Sequence, residues 1–560
     1  MLQARMGRLS AGARRVLRAA SVFGEMFWER GVVSLLAATH DEDRTPGALE
    51  ALVHEEIIEK ISEGHFANET QYRFRHALVR DAAYDLTSEE ERLAWHAAAG
   101  KFLEGIGERE SILLADHYRL GGELSRAVRC YARAGEQAYD AGNMDAALAC
   151  IERGLGCGAA GEDRGELLSL QCLIKAFREQ YEQILATGRE AISLLRPDSK
   201  PACQVIIPVV IATMYVEPDK LSELTALLLR MQPQQEALPM YCSGITLLTI
   251  LAVSMGQKTP GSLMLQRAQS LHQSLADKDH NAWGWYWLAE AHYNHFIDGL
   301  PHTCIIDYRK ARYSANEASN RQLHASATAW YGKALADLGQ RADALPVLRS
   351  GLRIAEQTND ELILATARGY LADQLAERLS PDDSQEQEAI ELALLIMKLA
   401  KHPLALGMAH SVLARLAEAR GELEDAEIKA REACQLHATF PAYKAESAAL
   451  WSRILRRLGR DAEALHVCED AVQEQTALGI EPYALLALYV ELSEARARAG
   501  QPESARDAIA HALPILKKRI DDIPDPDMRA TYLREVPANV RLLELARKWG
   551  IDTSALDVGD

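Results

Sequence analysis

Aromatic residues and prolines are scarce in this sequence. Phe, Trp and Tyr make up 6% of its 560 residues, and 19 residues are proline. All-β domains favour aromatic and β-branched residues, whereas Ala and Leu, which supply most of the apolar residues here, favour helices. The composition therefore predicts closely packed α-helices. A chain of this length exceeds what one hydrophobic core organises, so we expect several domains or a stacked repeat array.

The sequence also lacks paired cysteines and long apolar runs. Its nine cysteines are scattered and never form a Cys-x-x-Cys pair, which argues against both a zinc ribbon and a disulfide framework. No uninterrupted apolar run reaches the roughly 18–20 residues of a membrane span. The net charge of −18 argues against broad affinity for nucleic acid or anionic membranes. These features predict a cytoplasmic protein without a membrane segment.

Familiar catalytic motifs are absent as well. The sequence contains no Walker-type phosphate-binding loop, no HExxH metal motif, no GxSxG nucleophile elbow and no kinase HRD or DFG set. One formal match to GxGxxG, from Gly156 to Gly161, follows a helical pattern instead of a strand, so we interpret it as a turn. We therefore expect no enzyme within these residues, no bound cofactor and no metal ion.

A short pattern recurs from about residue 115 onward. It consists of a Gly, a small residue five positions later and another small residue seven positions after that. It occurs at Gly122/Ala127/Ala134, Gly142/Ala147/Gly154, Gly339/Ala344/Gly351, Gly421/Ala426/Ala433, Gly459/Ala464/Ala471 and Gly500/Ala505/Ala512. Gly permits the positive φ that reverses the chain between two helices, and small residues let those helices approach closely. The last turns lie 38 residues apart (421 to 459) and 41 apart (459 to 500), which is typical of a helical solenoid.

The residues around these turns resemble the tetratricopeptide repeat (TPR) family. Leu338-Gly339-Gln340 precedes Ala344, and Leu458-Gly459-Arg460 precedes Ala464. The units are longer than the roughly 34 residues usual for that repeat, and one turn near 380–383 is degenerate. Between residues 160 and 320 the turn signature fades, and there we expect helix pairs to continue.

The first hundred residues have a different pattern. Helical periodicity at about 10–21, 28–38 and 47–56 is followed by strand-like stretches at 57–61 and 71–75, and a helix resumes at His76. Three helices closed by a β-hairpin predict a winged-helix domain. The predicted fold class is therefore all-α, a TPR-like helical-hairpin solenoid with a small N-terminal winged-helix domain.

Both ends of the chain resemble bacterial STAND-type signalling ATPases. The segments Leu9–Gly24 and Phe74–Tyr84 are similar to the winged-helix module of that family, and Asp525–Trp549 is similar to its closing stretch. In the family this module follows a P-loop ATPase and precedes a TPR-like array, so the chain corresponds to the C-terminal part without the ATPase. The resemblance implies that His76 approaches nucleotide phosphates if an ATPase is supplied in trans. The alternative is a capping or core histidine.

These features predict a division into four regions. We expect a winged-helix-like domain at 1–105, divergent TPR-like repeats at 106–320, TPR-like repeats at 321–520, and a C-terminal capping helix and tail at 521–560.

One segment is dense in aromatic residues. Trp283, Tyr286, Trp287 and His295 are the candidate partner-binding residues, because exposed Trp pairs one helical turn apart suit partner anchoring. The alternative is packing against the next repeat. The remaining stripe of this segment, Trp285, Leu288, Ala289, His292 and Phe296, is predicted to be core. His292, His295, His302 and Cys304 also hint at a metal site, in which the histidines at i and i+3 are plausible ligands, but the remaining spacing is arbitrary and we assign no metal ligands.

We interpret the chain as a non-catalytic scaffold or sensor arm of a bacterial signalling system. It would bind a protein or peptide along an extended solenoid groove without an enclosed cavity. One alternative is the regulatory part of a STAND ATPase, kinase or cyclase whose catalytic domain lies outside this chain, with that enzyme as a partner in trans.

The other alternative is a transcriptional regulator that contacts DNA through the winged helix. The third helix and the strand after it carry Glu50, Glu55, Glu56 and Glu59 against Lys60. Because phosphate charge dominates DNA affinity, this acidic surface disfavours binding, and nucleic acid is not an expected partner.

Overall fold

The computed structural model describes residues 9–37, 45–62, 66, 69–176, 180–217, 220–275, 279–358, 360–377 and 384–556. Apart from one three-stranded sheet, these residues are all-α, with 28 helices that account for 79% of the chain. The chain forms two compact units, Met1–Leu224 and Thr225–Asp560. Antiparallel helix pairs stack in each unit as in a TPR-like solenoid, so the predicted helical-repeat fold is confirmed.

The first unit begins with a module of helices and strands. Its elements are α1 (Ala11–Ser21), β1 (Met26–Trp28), α2 (Glu29–Leu36), α3 (Thr45–His54), β2 (Ile58–Ile61) and β3 (Gln71–Phe74). The strands pair antiparallel in the order β1-β3-β2. Strand β1 was not predicted, because three residues are too few to show alternation. Phe27 on β1 stacks on Tyr72 of β3 at 5.6 Å between ring centroids, which ties this extra strand to the core.

Helices follow one another through the rest of the first unit. They are α4 (Ala77–Asp85), α5 (Glu89–Gly105), α6 (Ser111–Leu120), α7 (Leu124–Asp140), α8 (Met144–Gly156), α9 (Gly161–Ala176), α10 (Tyr181–Leu194), α11 (Lys200–Val216) and, across the boundary of the two units, α12 (Leu221–Arg230). From α6 to α11, each helix packs on the next. The Gly156–Gly161 segment is a turn between α8 and α9, as predicted, with positive φ at Gly158 and Gly161.

The second unit is a continuous series of helix pairs. They are α13 (Leu238–Ser254) with α14 (Lys258–His272), α15 (His280–Phe296) with α16 (Pro301–Glu317), α17 (Arg321–Asp337) with α18 (Arg341–Ala355), α19 (Glu361–Ala376) with α20 (Ser384–Leu399), α21 (Pro403–Arg420) with α22 (Leu423–Leu436), α23 (Pro441–Arg457) with α24 (Asp461–Leu478), and α25 (Leu485–Arg498) with α26 (Pro502–Asp522). Helices α27 (Pro526–Glu535) and α28 (Pro537–Lys548) follow, and then a 3-10 turn, Ser554–Leu556. The first helices of successive pairs pack on one another and form the inner face.

The repeated Gly pattern marks the turns between helices, as predicted. All six leading glycines have positive φ, from 73° at Gly122 to 80° at Gly339 and Gly421, and the small residues behind them are buried. Two further turns in the region 160–320 have the same spacing, at Gly256/Gly261/Ala268 and Gly299/Cys304/Ala311. Helix pairs therefore continue through this region. The degenerate turn expected at 380–383 lies outside the described residues.

The second unit curls until its early turns contact its last helices. At the end of α26, the Asp522 carboxylate accepts hydrogen bonds from the backbone N–H groups of His302 (2.8 Å) and Thr303 (3.1 Å) at the start of α16. The Glu481 N–H donates to the Ile297 carbonyl at 2.8 Å. We call this set of contacts the closure.

The buried side chain of Arg519 stabilises the closure through hydrogen bonds. Its side chain is 0% exposed, and its guanidinium donates to the carbonyls of Glu481 (3.1 Å), Pro482 (2.8 Å) and Tyr483 (2.8 Å). The array thus curves around a cavity that is partly open to solvent, whereas the sequence predicts an extended groove. Sequence periodicity sets the length of a repeat, whereas curvature depends on small rotations between repeats. No helix in the described part of the chain is long and apolar enough to cross a membrane.

Candidate functional site

The inner face of the second unit lines a cavity of about 690 Å³, which we call the chamber. Helices α15, α17, α19, α21, α23 and α25 line it, with α28 at one side. Its volume lies within the roughly 300–1,000 Å³ of small-ligand sites. Residues three, four and seven positions apart share one face of a helix, which is how Trp330, Lys333 and Asp337 reach the chamber from α17.

Aromatic side chains form the floor of the chamber. The floor consists of Phe296, Trp330, Tyr370, Tyr443 and Tyr483. The Trp330 ring centroid lies 5.3 Å from that of Phe296 and 4.9 Å from that of Tyr370, both in edge-to-face geometry. The hydroxyl oxygens of Tyr370 and Tyr443 are hydrogen-bonded at 2.7 Å. Because each ring is held by its neighbours, the floor is a preformed apolar surface.

A buried carboxylate lies beside the floor. Asp337 pairs with Lys333, and its Oδ2 lies 3.4 Å from Nε2 of His295. Burial raises the pKa of Asp337 to about 6, and Lys333 opposes this shift. Burial lowers the pKa of His295 well below its ordinary value, so this imidazole is neutral. Within the described residues Asp337 Oδ2 accepts no hydrogen bond, so it remains an available acceptor.

Arg415 joins two further carboxylates. Its Nε lies 3.2 Å from Asp373 Oδ1, and its Nη2 donates to Glu446 Oε1 at 2.7 Å. Burial raises the pKa of Asp373 although Arg415 opposes the shift. The Oε1 atom of Gln374 is a second buried acceptor that has no donor in the described part of the chain. We call this region the acidic end of the chamber, defined by Asp337, Asp373, Gln374 and Glu446.

The other end of the chamber is rich in arginine. Arg456 is buried between Glu491 and Glu494, and Arg453 donates two hydrogen bonds to Glu418, at 3.0 and 2.8 Å. We call this region the arginine end, defined by Arg453, Arg456, Arg457, Arg498 and Arg541. The side chains of the last three are 46%, 51% and 48% exposed. Each of them is already paired, Arg457 with the buried Glu418 at 3.2 Å, Arg498 with Asp461 at 3.4 Å, and Arg541 with Glu494 and Glu544, so a ligand would share these guanidinium groups with their partners.

Three residues near the floor, Cys304, His295 and Asp337, lie in the order nucleophile, base and carboxylate that a catalytic triad has. Cys304 Sγ lies 3.8 Å from His295 Nδ1, and His295 Nε2 faces Asp337. The thiol is buried, donates to the Pro301 carbonyl at 3.2 Å and does not line the chamber. Burial raises its pKa well above the ordinary value, whereas a nucleophilic cysteine needs a lowered one. The arrangement therefore presents no reactive thiolate.

The structure divides the candidate aromatic residues between different surfaces. Trp283 and Trp287 are half-buried and stack at 5.8 Å, and Lys310 Nζ lies 3.9 Å from the Trp287 ring centroid. They line a shallow cleft of about 520 Å³ with His280, Arg309, Lys310, Tyr313 and Ser314. Tyr286 is buried, and His295 lines the chamber instead. The four candidate partner-binding residues thus do not form one site, and their role stays a prediction.

His76 immediately precedes α4. It is exposed, and its side chain makes no capping hydrogen bond to that helix. It is therefore neither a core residue nor a side-chain cap, and its imidazole is accessible to an external group.

The first unit has a cleft of its own, with a volume of about 620 Å³. Charged residues line it, namely Glu104, Arg126, Arg129, Arg133, Glu136, Asp140, Glu166 and Lys200. Lys200 Nζ lies 2.6 Å from Glu136 Oε1. Tyr118 and Tyr139 are the aromatic residues of this lining. The cleft offers charges but no aromatic floor.

Sequence patterns do not single out most residues of the chamber. A signal exists, because Lys333 and Asp337 or Arg453 and Arg457 are charged pairs spaced four apart on helices that also carry aromatic residues. Such pairs usually lie on a solvated helix face. Only the closure places them around a cavity. Among the described residues, no group of three or more His, Cys, Asp or Glu side chains is placed to hold a metal ion.

Comparison with known proteins gives no close relative. No protein-family model matches the chain, and no curated protein matches it. Similar solved structures include a Rap protein complexed with competence and sporulation factor, at 13% identity over 62% of this chain and 98% of that chain, with a TM-score of 0.40. The apo form of RapI is similar at 11% identity over 66% of this chain and 99% of that one, with a TM-score of 0.33.

A third similar structure is a signal transduction ATPase with numerous domains (STAND) from Pyrococcus horikoshii that carries a tetratricopeptide repeat sensor. It shares 13% identity over 94% of this chain, with a TM-score of 0.28, and the chain covers 66% of its length. At these TM-scores the similarities define neither a ligand nor an activity for this chain.

Proposed function

We propose that this chain is a sensor or adaptor that binds an extended peptide segment of a partner in the chamber, and that it is not an enzyme. One observation carries the proposal. A cavity of about 690 Å³ combines a preformed aromatic floor with fixed charges at both ends. Binding sites typically join an apolar surface to a few oriented polar groups, which is the composition found here.

The charged residues of the chamber are already oriented before a ligand arrives. Lys333 pairs with Asp337 one turn along the same helix. Two other cations pair with carboxylates of neighbouring helices, Arg415 with Glu446 and Arg456 with Glu491. Ordering a long side chain on binding costs about 0.5–1.5 kcal/mol, and these side chains are ordered in advance. A peptide offers the matching groups, because its backbone and side chains present alternating donors, acceptors and apolar atoms. The buried Cys304 thiol and the lack of familiar catalytic motifs favour binding over catalysis.

We further infer that the N-terminal module is a winged helix that connects the sensor to an effector. The order α1-β1-α2-α3-β2-β3 supports this inference. The exposed position of His76 supports a contact with an effector, which the STAND resemblance would make a nucleotide-binding ATPase, kinase or cyclase supplied in trans. The acidic residues on α3 and β2 disfavour DNA as that effector.

A cavity-filling substitution tests the proposal. Ala487→Trp places an indole in the chamber from α25, and Ala538→Trp does so from α28. Ala499→Trp is the matched control, because it adds the same group at an exposed position just after α25. Tagged proteins are used as baits in lysate of the native host, and bound proteins are quantified by mass spectrometry. Circular dichroism establishes that each variant is folded.

We expect a partner that the wild-type chain and Ala499→Trp retain and that both chamber-filling variants lose. Equal retention by all four proteins would show that the chamber is not the binding site. Loss from Ala499→Trp as well would point to a surface outside the chamber.

A further inference from the structure

We infer that the chamber selects a peptide that carries one basic and one acidic group about five residues apart, with the basic group at the acidic end and the acidic group at the arginine end. This inference rests on the proposed function and adds the charge pattern of the ligand. It is carried by the distribution of unsatisfied and exposed polar groups along the chamber.

The acidic end has two buried acceptors without a donor, and also one buried donor without an aligned acceptor, Arg415 Nε, which lies 3.2 Å from Asp373 Oδ1. Lys333 contacts Asp337 through Oδ1, which leaves Oδ2 free of hydrogen bonds within the described residues. Gln374 Oε1 likewise accepts no hydrogen bond within the described residues. Both residues line the chamber, and both side chains are more than nine-tenths buried. A buried acceptor without a donor costs about 1–3 kcal/mol, so a ligand that supplies N–H groups is favoured here.

The surroundings of these acceptors favour a positive ligand over a neutral one. Asp337, Asp373 and Glu446 line this end opposite Lys333 and Arg415, so carboxylates exceed cations by three to two. The Arg341–Glu377 pair beside them, with Nη1 and Oε2 3.7 Å apart, is balanced. The floor offers the faces and edges of Trp330 and its neighbours, and aromatic faces attract cations. An ammonium or guanidinium group fits both features.

Among the side chains that line the chamber, the arginine end has the opposite balance. Its five arginines line the chamber together with two carboxylates, Glu491 and Glu494. These two pair with the buried Arg456, and Glu494 also pairs with Arg541. Arg457 and Arg498 pair with Glu418 and Asp461, which lie outside the chamber lining, and both arginines are about half exposed. Guanidinium groups bind carboxylates through two parallel hydrogen bonds, so this end suits an acidic side chain or a terminal carboxylate.

Helix α23 sets the distance between the two ends. Glu446 and Arg457 lie eleven residues apart on this helix, which corresponds to roughly 16 Å at 1.5 Å per residue. An extended peptide advances about 3.3 Å per residue. A basic and an acidic group about five residues apart therefore reach both ends at once.

A peptide library tests the inference. The probe is a randomised heptapeptide library, acetylated and amidated so that only side chains carry charge, captured on the full-length chain and sequenced by mass spectrometry. The Ala487→Trp variant measures capture that does not depend on the chamber. We expect peptides with Lys or Arg four to six positions from Asp or Glu to be enriched about tenfold, the ratio that one charge-assisted hydrogen bond supports.

Two substitutions assign the charges to the ends. Glu446→Gln should remove the selection for the basic residue only, and Arg498→Gln should weaken the selection for the acidic residue only. Arg349→Gln is the matched control, because Arg349 pairs with Glu388 through two hydrogen bonds, at 2.6 and 2.7 Å, outside the chamber.

The possible outcomes separate the two proposals. Chamber-dependent capture without a paired charge pattern would overturn this inference and leave the proposed function standing. Capture that Ala487→Trp retains in full would overturn both. A pattern that Glu446→Gln leaves unchanged would overturn the assignment of the basic group to the acidic end.

Discussion

The cleft of the first unit and the chamber of the second differ little in volume, at about 620 and 690 Å³. Both lie among stacked helix pairs, and both carry charges of each sign. They differ in how much of their paired charged side chains is exposed to solvent. In the cleft, the side chains of Lys200 and Glu136 are 43% and 46% exposed, whereas Arg456 and Glu491 in the chamber are 8% and 10% exposed.

This difference follows from the closure. An exposed ion pair contributes about 0–1 kcal/mol, since water screens it and both side chains lose freedom. A buried pair is costly to form, and breaking it by removing one partner costs about 3–5 kcal/mol. The last helices of the second unit meet its early turns, and the unit buries part of its charges, Asp337, Arg456 and Glu491 among them. It is therefore the unit in which polar groups are held more rigidly.

Removing the closure should have the largest effect on this difference. Arg519→Met keeps the aliphatic stem and leaves the carbonyls of Glu481, Pro482 and Tyr483 without their donor. We expect the unfolding free energy of the second unit to fall by about 3 kcal/mol or more, since each unsatisfied carbonyl costs about 1–3 kcal/mol. Hydrogen exchange measured by mass spectrometry, compared between α25–α26 and α9–α11, reports on each unit separately.

Lys200→Met is the control in the first unit. It removes one cation from an exposed pair, so its effect should stay within about 1 kcal/mol. Similar losses of protection from the two substitutions would mean that the closure does not distinguish the units.

The repeat architecture was predictable because its signal is local. A Gly at a turn and a small residue five positions later depend on one helix pair alone, and Gly459 with Ala464 is an example. The same signal is weaker at Gly299, because Cys304 occupies the place that Ala takes elsewhere. The closure was not predictable, since Arg519 acts on carbonyls more than thirty residues away, at 481–483, and nothing in its sequence neighbourhood marks it as buried.

The Gly299 turn gives the second prediction, because it combines a positive φ with contact to the closure. A Cβ at Gly299 would lie 2.1 Å from the Glu481 carbonyl oxygen, and φ is +62°. Gly142 in the first unit has φ +77° with nothing within 4 Å of a Cβ. Gly142→Ala should therefore cost about 1–2 kcal/mol from backbone strain alone.

Gly299→Ala should cost about 3 kcal/mol, since the closure must also shift to make room. Urea unfolding followed by circular dichroism measures both substitutions. Equal losses of unfolding free energy for the two substitutions would show that the closure shifts at little cost and does not fix the shape of the chamber.

A buried histidine pair should make the stability of the first unit fall as the pH is lowered. The Nδ1 atoms of His96 and His117 lie 3.0 Å apart in the core, away from the cleft. Burial lowers the pKa of His117 to about 4. The unfolded chain therefore takes up this proton first as pH falls from about 6.5, and stability is lost until pH reaches about 4.

The variant His117→Asn removes this difference in proton uptake. Between pH 7 and 4.5 its unfolding free energy should fall by about 2 kcal/mol less than that of the wild type. Thermal unfolding across this pH range measures the effect. A pH dependence identical to that of the wild type would mean that His117 is hydrated in the folded chain. Peptide capture at pH 7 should be unchanged, because the pair lies in the first unit.

Truncation of the stacked pair Trp283 and Trp287 should reduce stability less than truncation of a buried aromatic residue does. These side chains are half-buried outside the chamber, so Trp283→Ala with Trp287→Ala should cost well below the roughly 3–5 kcal/mol per residue of buried Trp. Tyr286→Ala, at a buried position of the same helix, is the contrast and should destabilise strongly.

Capture of library peptides by the chamber should remain within about twofold of the wild-type value, because Trp283 and Trp287 lie outside the chamber. Loss of one hydrogen bond to the peptide would change capture about tenfold. If the pair anchors a macromolecular partner, lysate retention should fall while helical circular dichroism stays intact. Loss of that signal would instead show that the two indoles are core residues, and the second unit would then have the chamber as its ligand surface without this outer cleft.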